Sequence, residues 1–290
     1  MTRTTSLLLR LSLILSLVFG VQTARAANKS EALVVKLGKP ADVAVEFWLE
    51  NSLKRIYPRT PPGSTNLHLL AARNSRISFQ VGVRNERARP LVDCKILGAD
   101  DFKPRVRFVG LVPLTHFTPN TDPTELEGFD YGPGFIPDPL LPETAVTFGS
   151  WESRSYWVSL EIPADAKVGE REFKVQMIFP ATKQTFELPV TIEISELVIQ
   201  PRKDFPIIHW WRGEATWDYY KTGMFEDERW WEITRAQLEN MLAHGSDVVY
   251  VPMFFNRRET FKRPCQLLVI NETNAGKYEF DWELVKRFTD

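Results

Sequence analysis

The sequence lacks the short motifs that identify most enzymes with metals, phosphates or a nucleophilic serine. Its four histidines are scattered and form no H-E-x-x-H motif, and neither a glycine-rich phosphate loop nor a G-x-S-x-G elbow occurs. Cysteine is scarce, since Cys94 and Cys265 are the only two, and they form no C-x-x-C pair. We therefore expect no metal site and no cofactor. We also expect two half-buried thiols, although an exported protein would permit a bridge between them.

A charge excess of either sign is also missing. Lysine and arginine total 36, aspartate and glutamate total 37, and the formal net charge is −1 with no basic or acidic block. Nucleic acids and anionic membranes attract proteins through clustered positive charge, so we expect neither as a partner. With 43% hydrophobic and 25% charged residues, the composition is that of a globular protein with room for two domains. No feature indicates an oligomeric state.

Only one long hydrophobic run occurs, and it lies at the N-terminus. Leu11–Val21 is too short to span a bilayer, follows Arg3 and Arg10, and precedes an A-x-A cleavage site at residues 24–26. The pattern predicts a signal peptide at residues 1–26. We therefore expect export to the periplasm or the medium, with no integral membrane segment after cleavage. An uncleaved anchor is the alternative.

Residues 27–202 are rich in short stretches with a period of two. Apolar and polar side chains alternate at 77–83, 156–162, 173–179 and 186–194, and weaker strand candidates lie at 42–49, 91–97 and 105–113. Such alternation is typical of strands with one buried face, and many short strands separated by turns are typical of a β-sandwich. We therefore predict an N-terminal β-sandwich domain.

Residues 114–150 interrupt this pattern. Prolines and glycines are concentrated here and no periodicity remains, and a loop of this length inside a compact domain is uncommon. Two readings are open. The segment is either a structural wrap along a sheet edge, which we favour, or an ordered lid.

Beyond residue 202 the period changes to that of alternating strands and helices. An apolar strand at 205–210, a helix at 227–244 with Asp227 as its N-cap, and an apolar strand at 247–255 predict a β-α-β unit with buried strands. A hairpin at 265–280 and a helix at 282–288 follow. Because a (β/α)8 barrel needs about 250 residues, we read 203–290 as the first βα units of an incomplete TIM-like barrel.

The stretch 204–231 (DFPIIHWWRGEATWDYYKTGMFEDERWW) holds five of the nine tryptophans. Aromatic faces beside carboxylates and an arginine suit the C–H faces and hydroxyls of a sugar ring, and barrel sites lie after the strands. The predicted substrate-binding residues are His209, Trp211, Arg212, Glu214, Trp217, Tyr219 and Asn256, with Arg257 and Arg258 as weaker candidates. The alternative is that most of these aromatics pack a junction between two domains.

Three segments together resemble a known family. Residues 137–142 read PDPLLP, residues 156–169 read YWVSLEIPADAKVG, and the aromatic stretch follows at 209–231. In this order and spacing they resemble the family 123 glycoside hydrolases, the β-N-acetylgalactosaminidase-like enzymes, over residues 45–290. The resemblance implies a β-sandwich before a TIM-like barrel, and a glycan or glycoconjugate containing N-acetylhexosamine as the partner. It also implies retaining hydrolysis assisted by the substrate's 2-acetamido group, with an Asp that orients the amide and an adjacent Glu as acid/base.

The sequence offers no residue pair for that chemistry. Asp227-Glu228 is the only Asp-Glu pair after residue 202, and it opens a helix, where the helix dipole favours acids, so we read it as structural. We assign no catalytic residue. The sequence thus predicts an exported glycoside hydrolase-like protein that is truncated and inactive in these 290 residues. A non-catalytic secreted carbohydrate-binding protein and a structural β-sandwich that contacts another protein are the alternatives.

Overall fold

The computed structural model describes residues 32–36, 44–87, 89–117, 120, 122, 124, 132–209, 211–254 and 265–290. The chain divides into two compact units, Met1–Gln200 and Pro201–Asp290. The signal peptide lies outside the described residues, and both it and the domain boundaries at 26/27 and 202/203 stay predictions. In the described part of the chain, none of the helices combines the length and the apolar character needed to cross a bilayer.

The first unit is built from strands that form two sheets. In chain order they are β1 (Leu33–Lys36), β2 (Ala44–Asn51), β3 (His68–Arg73), β4 (Ser75–Asn85), β5 (Leu91–Leu97), β6 (Arg105–Leu114), β7 (Gly134–Leu141), β8 (Ala145–Thr147), β9 (Ser153–Ile162), β10 (Gly169–Phe179) and β11 (Gln184–Val198). One sheet has the order β1-β2-β4-β9-β6-β7 and the other the order β3-β11-β10-β5-β8. Their neighbours pair in antiparallel fashion, apart from the parallel pair β3–β11.

The two sheets pack face to face over one hydrophobic core. Phe47 of the first sheet meets Phe179 of the second with ring centroids 5.9 Å apart, in an edge-to-face arrangement that aromatic pairs favour. Tyr156 of β9 reaches across the core and donates a hydrogen bond to the carbonyl oxygen of Val92 at 2.6 Å. Burial raises the pKa of the Tyr156 hydroxyl above its usual range, so the hydroxyl keeps its proton and stays a donor.

Strands lie at each of the seven stretches where the sequence predicts one. The period of two corresponds to burial, because the alternating apolar residues of β9 and β10 face the shared core. Two further strands, β1 and β3, lack a clear alternation in the sequence. Both are edge strands, each paired with a single neighbour, and such strands need less of a buried face.

The proline-rich segment contributes two edge strands in its described part. β7 pairs with β6 at the border of the first sheet, and β8 pairs with β5 at the border of the second. Pro137 and Pro139 lie within β7, and proline is tolerated there because an edge strand does not need every backbone N–H for its neighbour. The edge-wrap interpretation therefore fits residues 134–147. Most of residues 118–131 lie outside the described part of the chain.

The second unit combines short strands and helices. They are β12 (Ile208–His209), α1 (Gly213–Tyr220), α2 (Glu228–Ala243), β13 (Val248–Val249), β14 (Val269–Asn274), β15 (Lys277–Asp281) and α3 (Glu283–Thr289). β12 and β13, which precede and follow α2 in the chain, pair in parallel, and β14 and β15 form an antiparallel hairpin. The β-α-β unit and the hairpin expected from the sequence are therefore both present.

Local sequence signals determine the ends of α2. The Asp227 side chain accepts hydrogen bonds from the backbone N–H of Arg229 at 3.0 Å and of Gly223 at 2.8 Å, so it acts as the N-cap. Past the other end, Gly245 adopts a φ of 89°, and the N–H of Ser246 returns to the carbonyl oxygen of Met241 at 3.0 Å. These bonds satisfy backbone groups that the helix itself leaves open.

Asp247 connects the starts of the two parallel strands. Its carboxylate accepts a hydrogen bond from the Ile207 N–H at 2.9 Å and pairs with Arg202. The backbone hydrogen bond first, and Arg202 second, hold the pKa of Asp247 below its ordinary value. Because the pKa of Asp247 is lower in the folded state than in the unfolded state, its carboxylate stabilises the fold at pH values above the unfolded-state pKa. This contribution is lost as the pH falls through the folded-state pKa.

The apolar strands of this unit are shorter and more exposed than the sequence predicts. Ile208 is 55% exposed and Val248 38%, while Tyr250 and Phe254, beyond the end of β13, are 59% and 58% exposed. The prediction of strands buried on both faces is wrong for these residues. Within the described residues β12 and β13 pair only with each other, and a two-stranded sheet cannot cover its own faces.

Candidate functional site

The aromatic stretch contains a helix, α1, between the strand and the helix that the sequence predicts at 205–210 and 227–244. α1 begins after Arg212 and ends at Lys221, whose φ of 55° lies in the left-handed region. Aromatic residues are moderate helix formers, which explains why the sequence pattern gives no helix here. Packing favours the helix, because Trp217 in its second half is completely buried.

Three tryptophans and one cysteine form one of two buried clusters in the described part of the second unit: Trp211, Trp217, Trp230 and Cys265. The Trp230 ring lies 6.0 Å from that of Trp211 and 5.8 Å from that of Trp217, measured between centroids. Trp211 and Trp217, predicted to bind substrate, are 9% and 0% exposed. In this structure they hold α1 against α2, and their rings are covered by protein.

Gln237 joins the two helices at this cluster. Its side-chain oxygen accepts hydrogen bonds from the Trp211 indole N–H at 2.8 Å and from the Thr216 hydroxyl at 3.1 Å. Gln237 is not among the residues predicted from the sequence. A signal was present, because Gln237 lies three positions after Thr234 and four before Met241 on one face of α2, and a polar residue on a face that packs against other elements needs a partner.

Glu214 is also buried, with 8% exposure, in the first turn of α1. It lies close to Cys265, and the pKa of the Cys265 thiol is raised to about 12, by burial first and by the Glu214 carboxylate second. Glycine at position 213 leaves the room that the Cys265 side chain occupies beside the start of α1. A Cβ at that position would lie 2.6 Å from the Cys265 sulfur and 2.8 Å from the Trp211 ring.

The remaining predicted site residues within the described part of the chain are exposed. His209 lies at the end of β12, Arg212 precedes α1, and Tyr219 is 79% exposed near the end of α1. The Tyr219 and Tyr220 rings meet edge to face with centroids 4.9 Å apart. Asn256, Arg257 and Arg258 lie outside the described residues. The structure therefore divides the predicted set into buried and exposed members.

The exposed members lie at or after the carboxyl end of β12, one of two parallel strands. Because β12 and β13 run in parallel, the segments that follow His209 and Val249 leave from the same edge of the small sheet. Two exposed aromatics after β13, Tyr250 and Phe254, join Arg212 on these segments. The arrangement offers aromatic faces and a guanidinium to a polyhydroxylated ligand.

The acidic pair at the start of α2 has structural partners. Asp227 caps the helix, and Glu228 forms an ion pair with Arg287 of α3. The Arg287 guanidinium also lies 4.2 Å from the centroid of the Trp231 ring. Helix capping and an ion pair account for both carboxylates, in agreement with the structural role predicted from the sequence.

Comparison with known proteins gives a resemblance for the second unit. Residues 210–290 match the model of a glycosidase catalytic domain, so this part of the chain is similar to glycoside hydrolases. The matched family is described as "Glycoside hydrolase 123, catalytic domain", and the predicted resemblance to family 123 is confirmed. Among curated protein sequences, none matches this chain significantly.

Solved structures add a likeness of fold. A family 123 glycoside hydrolase from Clostridium perfringens, studied for glycolipid glycan hydrolysis, superimposes with a TM-score of 0.66 over 84% of this chain at 11% identity. This chain covers 45% of the Clostridium perfringens enzyme, less than half of its length. Two cohesin–dockerin complexes, one from Clostridium thermocellum, cover 44% and 52% of this chain and 95% and 99% of their own at 12% identity. Their TM-scores of 0.22 are too low to indicate a shared fold.

Both cysteines are expected to resist thiol reagents until the protein unfolds. Cys94 is 0% and Cys265 3% exposed, both are free, and burial raises the pKa of each thiol, so almost no thiolate forms near pH 8. Under non-reducing conditions, titration with Ellman's reagent should give no rapid reaction in buffer and two thiols per chain in guanidinium chloride. A protein mass lower by two hydrogen atoms, with no reactive thiol after unfolding, would instead demonstrate a disulfide.

Proposed function

We propose that this protein is an exported glycoside hydrolase-like protein, related to enzymes that act on glycans containing N-acetylhexosamine. The observation that carries the proposal is the match of residues 210–290 to a family 123 catalytic domain. β12, immediately before this segment, and α2 and β13 within it form the kind of parallel β-α-β unit with which a (β/α)8 barrel is built. Export, to the periplasm or the medium, rests on the signal-peptide pattern of residues 1–26.

We further propose that residues 27–202 are a β-sandwich and residues 203–290 the first βα units of an incomplete TIM-like barrel. The shared core of the two sheets supports the first part. Exposed apolar side chains on β12 and β13, Ile208 and Val248, support the second, because strands of this composition are normally buried between neighbouring strands and helices.

We propose that the 290-residue polypeptide alone has no hydrolase activity. Substrate-assisted hydrolysis, as the family resemblance implies it, needs an Asp that orients the 2-acetamido group and an adjacent Glu that serves as acid/base. The Asp227 and Glu228 carboxylates have other partners at the start of α2, which makes them unsuited to this role. In this proposal, His209, Arg212, Tyr219 and Asn256 contact the sugar, while Trp211, Glu214 and Trp217 support them from the interior.

A direct assay tests this proposal. We expect the purified protein to release no nitrophenol from 4-nitrophenyl N-acetyl-β-D-galactosaminide or glucosaminide, whereas the Clostridium perfringens enzyme serves as the positive control. Turnover by the 290-residue protein that persists through purification and is lost on unfolding would disprove the inactivity proposal. An intact mass that begins at Ala27 in the exported fraction would support export, and a retained N-terminal segment would argue against cleavage.

The second candidate is a non-catalytic carbohydrate-binding protein. The exposed Tyr219–Tyr220 pair favours it, because exposed aromatic faces can stack on sugars without any catalytic pair. In titration calorimetry with N-acetylhexosamine oligomers, Tyr219→Ala should weaken binding roughly threefold to tenfold, the usual worth of one aromatic contact. Tyr278→Ala removes a tyrosine that is 54% exposed on β15 and should leave the affinity unchanged. If both variants bind like the parent protein, Tyr219 is not in the site.

A further inference from the structure

The outward face of the first sheet carries clustered positive charge beside a tryptophan. We name this surface the basic sheet face and define it by Arg76, Lys103, Arg105, Arg107 and Trp157. Arg105 and Arg107 of β6 lie opposite Ser159 and Trp157 of β9 in the sheet register. The residue between the latter two, Val158, is buried in the core, so Trp157 and Ser159 point to the other, outward side.

The cations of this surface outnumber the carboxylates that face them. Glu161 alone contacts Arg76 at 3.3 Å, Lys103 at 3.5 Å and Arg105 at 3.8 Å. The three cationic side chains are 53%, 76% and 59% exposed, whereas the Glu161 side chain is 32% exposed. Within the described residues no carboxylate pairs with Arg107. The net charge of the whole chain is −1, so this positive excess is local.

The tryptophan is held in place by hydroxyl groups. The Trp157 indole N–H donates a hydrogen bond to the Ser159 hydroxyl at 3.1 Å, and the Ser159 and Ser78 hydroxyls lie 2.9 Å apart. Ser78 is the Cα partner of Ser159 on β4, so the two hydroxyls are neighbours across the sheet. The surface thus combines four cations with a half-buried aromatic ring, whose indole N–H is held by the buried Ser159 hydroxyl.

We propose that the basic sheet face binds an acidic oligosaccharide through its uronate carboxylates. Arginine guanidinium groups bind carboxylates in bidentate fashion, and an indole ring stacks on the C–H face of a sugar. Charge complementarity favours an anionic ligand, and the indole ring held beside the cations favours a sugar over other polyanions. This site lies in the first unit and uses none of the residues assigned to N-acetylhexosamine recognition, so it does not depend on the hydrolase proposal.

Titration calorimetry of the purified protein with oligogalacturonate tests the proposal. We expect binding that weakens as salt is added, because three of the four cations, Arg76, Lys103 and Arg105, are exposed. Arg105→Ala/Arg107→Ala should weaken it about tenfold to a hundredfold, the worth of one to two charge-assisted contacts. Glu161→Gln should tighten it roughly threefold, since the ligand carboxylates then meet no competing carboxylate on the surface. A purely structural role of these side chains would not produce a gain.

Two further variants separate stacking from charge. Trp157→Ala should reduce the affinity about tenfold, while Trp157→Phe, which keeps a ring, should retain most of it. Melting curves of both variants establish that they are folded. Lys95→Ala/Lys174→Ala removes two charges of similar exposure, 57% and 56%, from the outward face of the second sheet and should have no effect.

The proposal is overturned by either of two results. One is the absence of oligogalacturonate binding by the folded parent protein. The other is equal affinity for oligogalacturonate and polyglutamate with no loss in Trp157→Ala, since the surface would then attract any polyanion. Failure of the N-acetylhexosaminide assays leaves this outcome unaffected, because oligogalacturonate contains no N-acetylhexosamine.

Discussion

Replacing Trp230 by alanine is expected to unfold the second unit while the first unit stays folded. The Trp230 side chain is 0% exposed, and its ring lies within 6.0 Å of the rings of Trp211, Trp217, Phe225 and Trp231, measured between centroids. Its indole N–H also donates to the carbonyl oxygen of Gly213 at 3.3 Å. A Trp→Ala change in a core costs about 3–5 kcal/mol, a large share of the roughly 5–15 kcal/mol that stabilises a domain.

Urea unfolding followed by near-UV and far-UV circular dichroism measures this effect. The variant should lose the helix signal of the second unit at low urea, while the β-sheet signal persists to the parent midpoint because the first unit has its own core. Trp282→Ala is the matched control, because Trp282 is 44% exposed and its loss should shift neither transition. Unchanged unfolding of the Trp230 variant would mean that this cluster does not stabilise the second unit.

Gly82→Ala is expected to destabilise the first unit by about 3 kcal/mol, at the upper end of the usual cost of overpacking. Gly82 lies opposite Trp48 in the pairing of β4 with β2, and Trp48 is 1% exposed. A Cβ on Gly82 would lie 2.1 Å from Cε2 of the Trp48 ring. The ring cannot move away easily, because a Cβ position on Gly63 is already 2.8 Å from its Cδ1.

A double-mutant cycle separates this clash from the ordinary effect of adding a methyl group to a strand. In a Trp48→Leu background, Gly82→Ala should cost well under 1 kcal/mol or be slightly stabilising, because alanine reduces the freedom of the unfolded chain. The free energies come from urea unfolding of the four proteins. Equal costs of Gly82→Ala in both backgrounds would show that the tryptophan ring is not the cause.

The repeating patterns of the sequence predict most of the strands and helices. β9, β10 and β11 follow from alternation, since one face of each meets the core, and the ends of α2 follow from Asp227 and Gly245. The edge strand β7 does not follow, because its prolines are typical of loops and only its pairing with β6 makes it a strand. The same holds for α1, whose helical form depends on the burial of Trp217.

The candidate site follows from the sequence only as a region. Residues 210–231 of the aromatic stretch lie within the segment that matches the family 123 catalytic domain, and they follow a strand that has a parallel partner. Which members are buried depends on how α1 packs on α2. Residue type does not distinguish Trp217 at 0% exposure from Tyr219 at 79%, since both are amphipathic aromatics two positions apart on one helix.

The sequence by itself determined the features that depend on neighbours along the chain. These are the alternating strands, the helix caps, the hydrophobic N-terminal run and the motifs of the family resemblance, because each depends on spacing alone. Tertiary structure decided which strands lie at sheet edges, which aromatic rings are buried, and that Arg76, Lys103, Arg105 and Arg107 share a surface with Trp157. These features arise between residues distant in sequence, whose proximity depends on sheet register and packing.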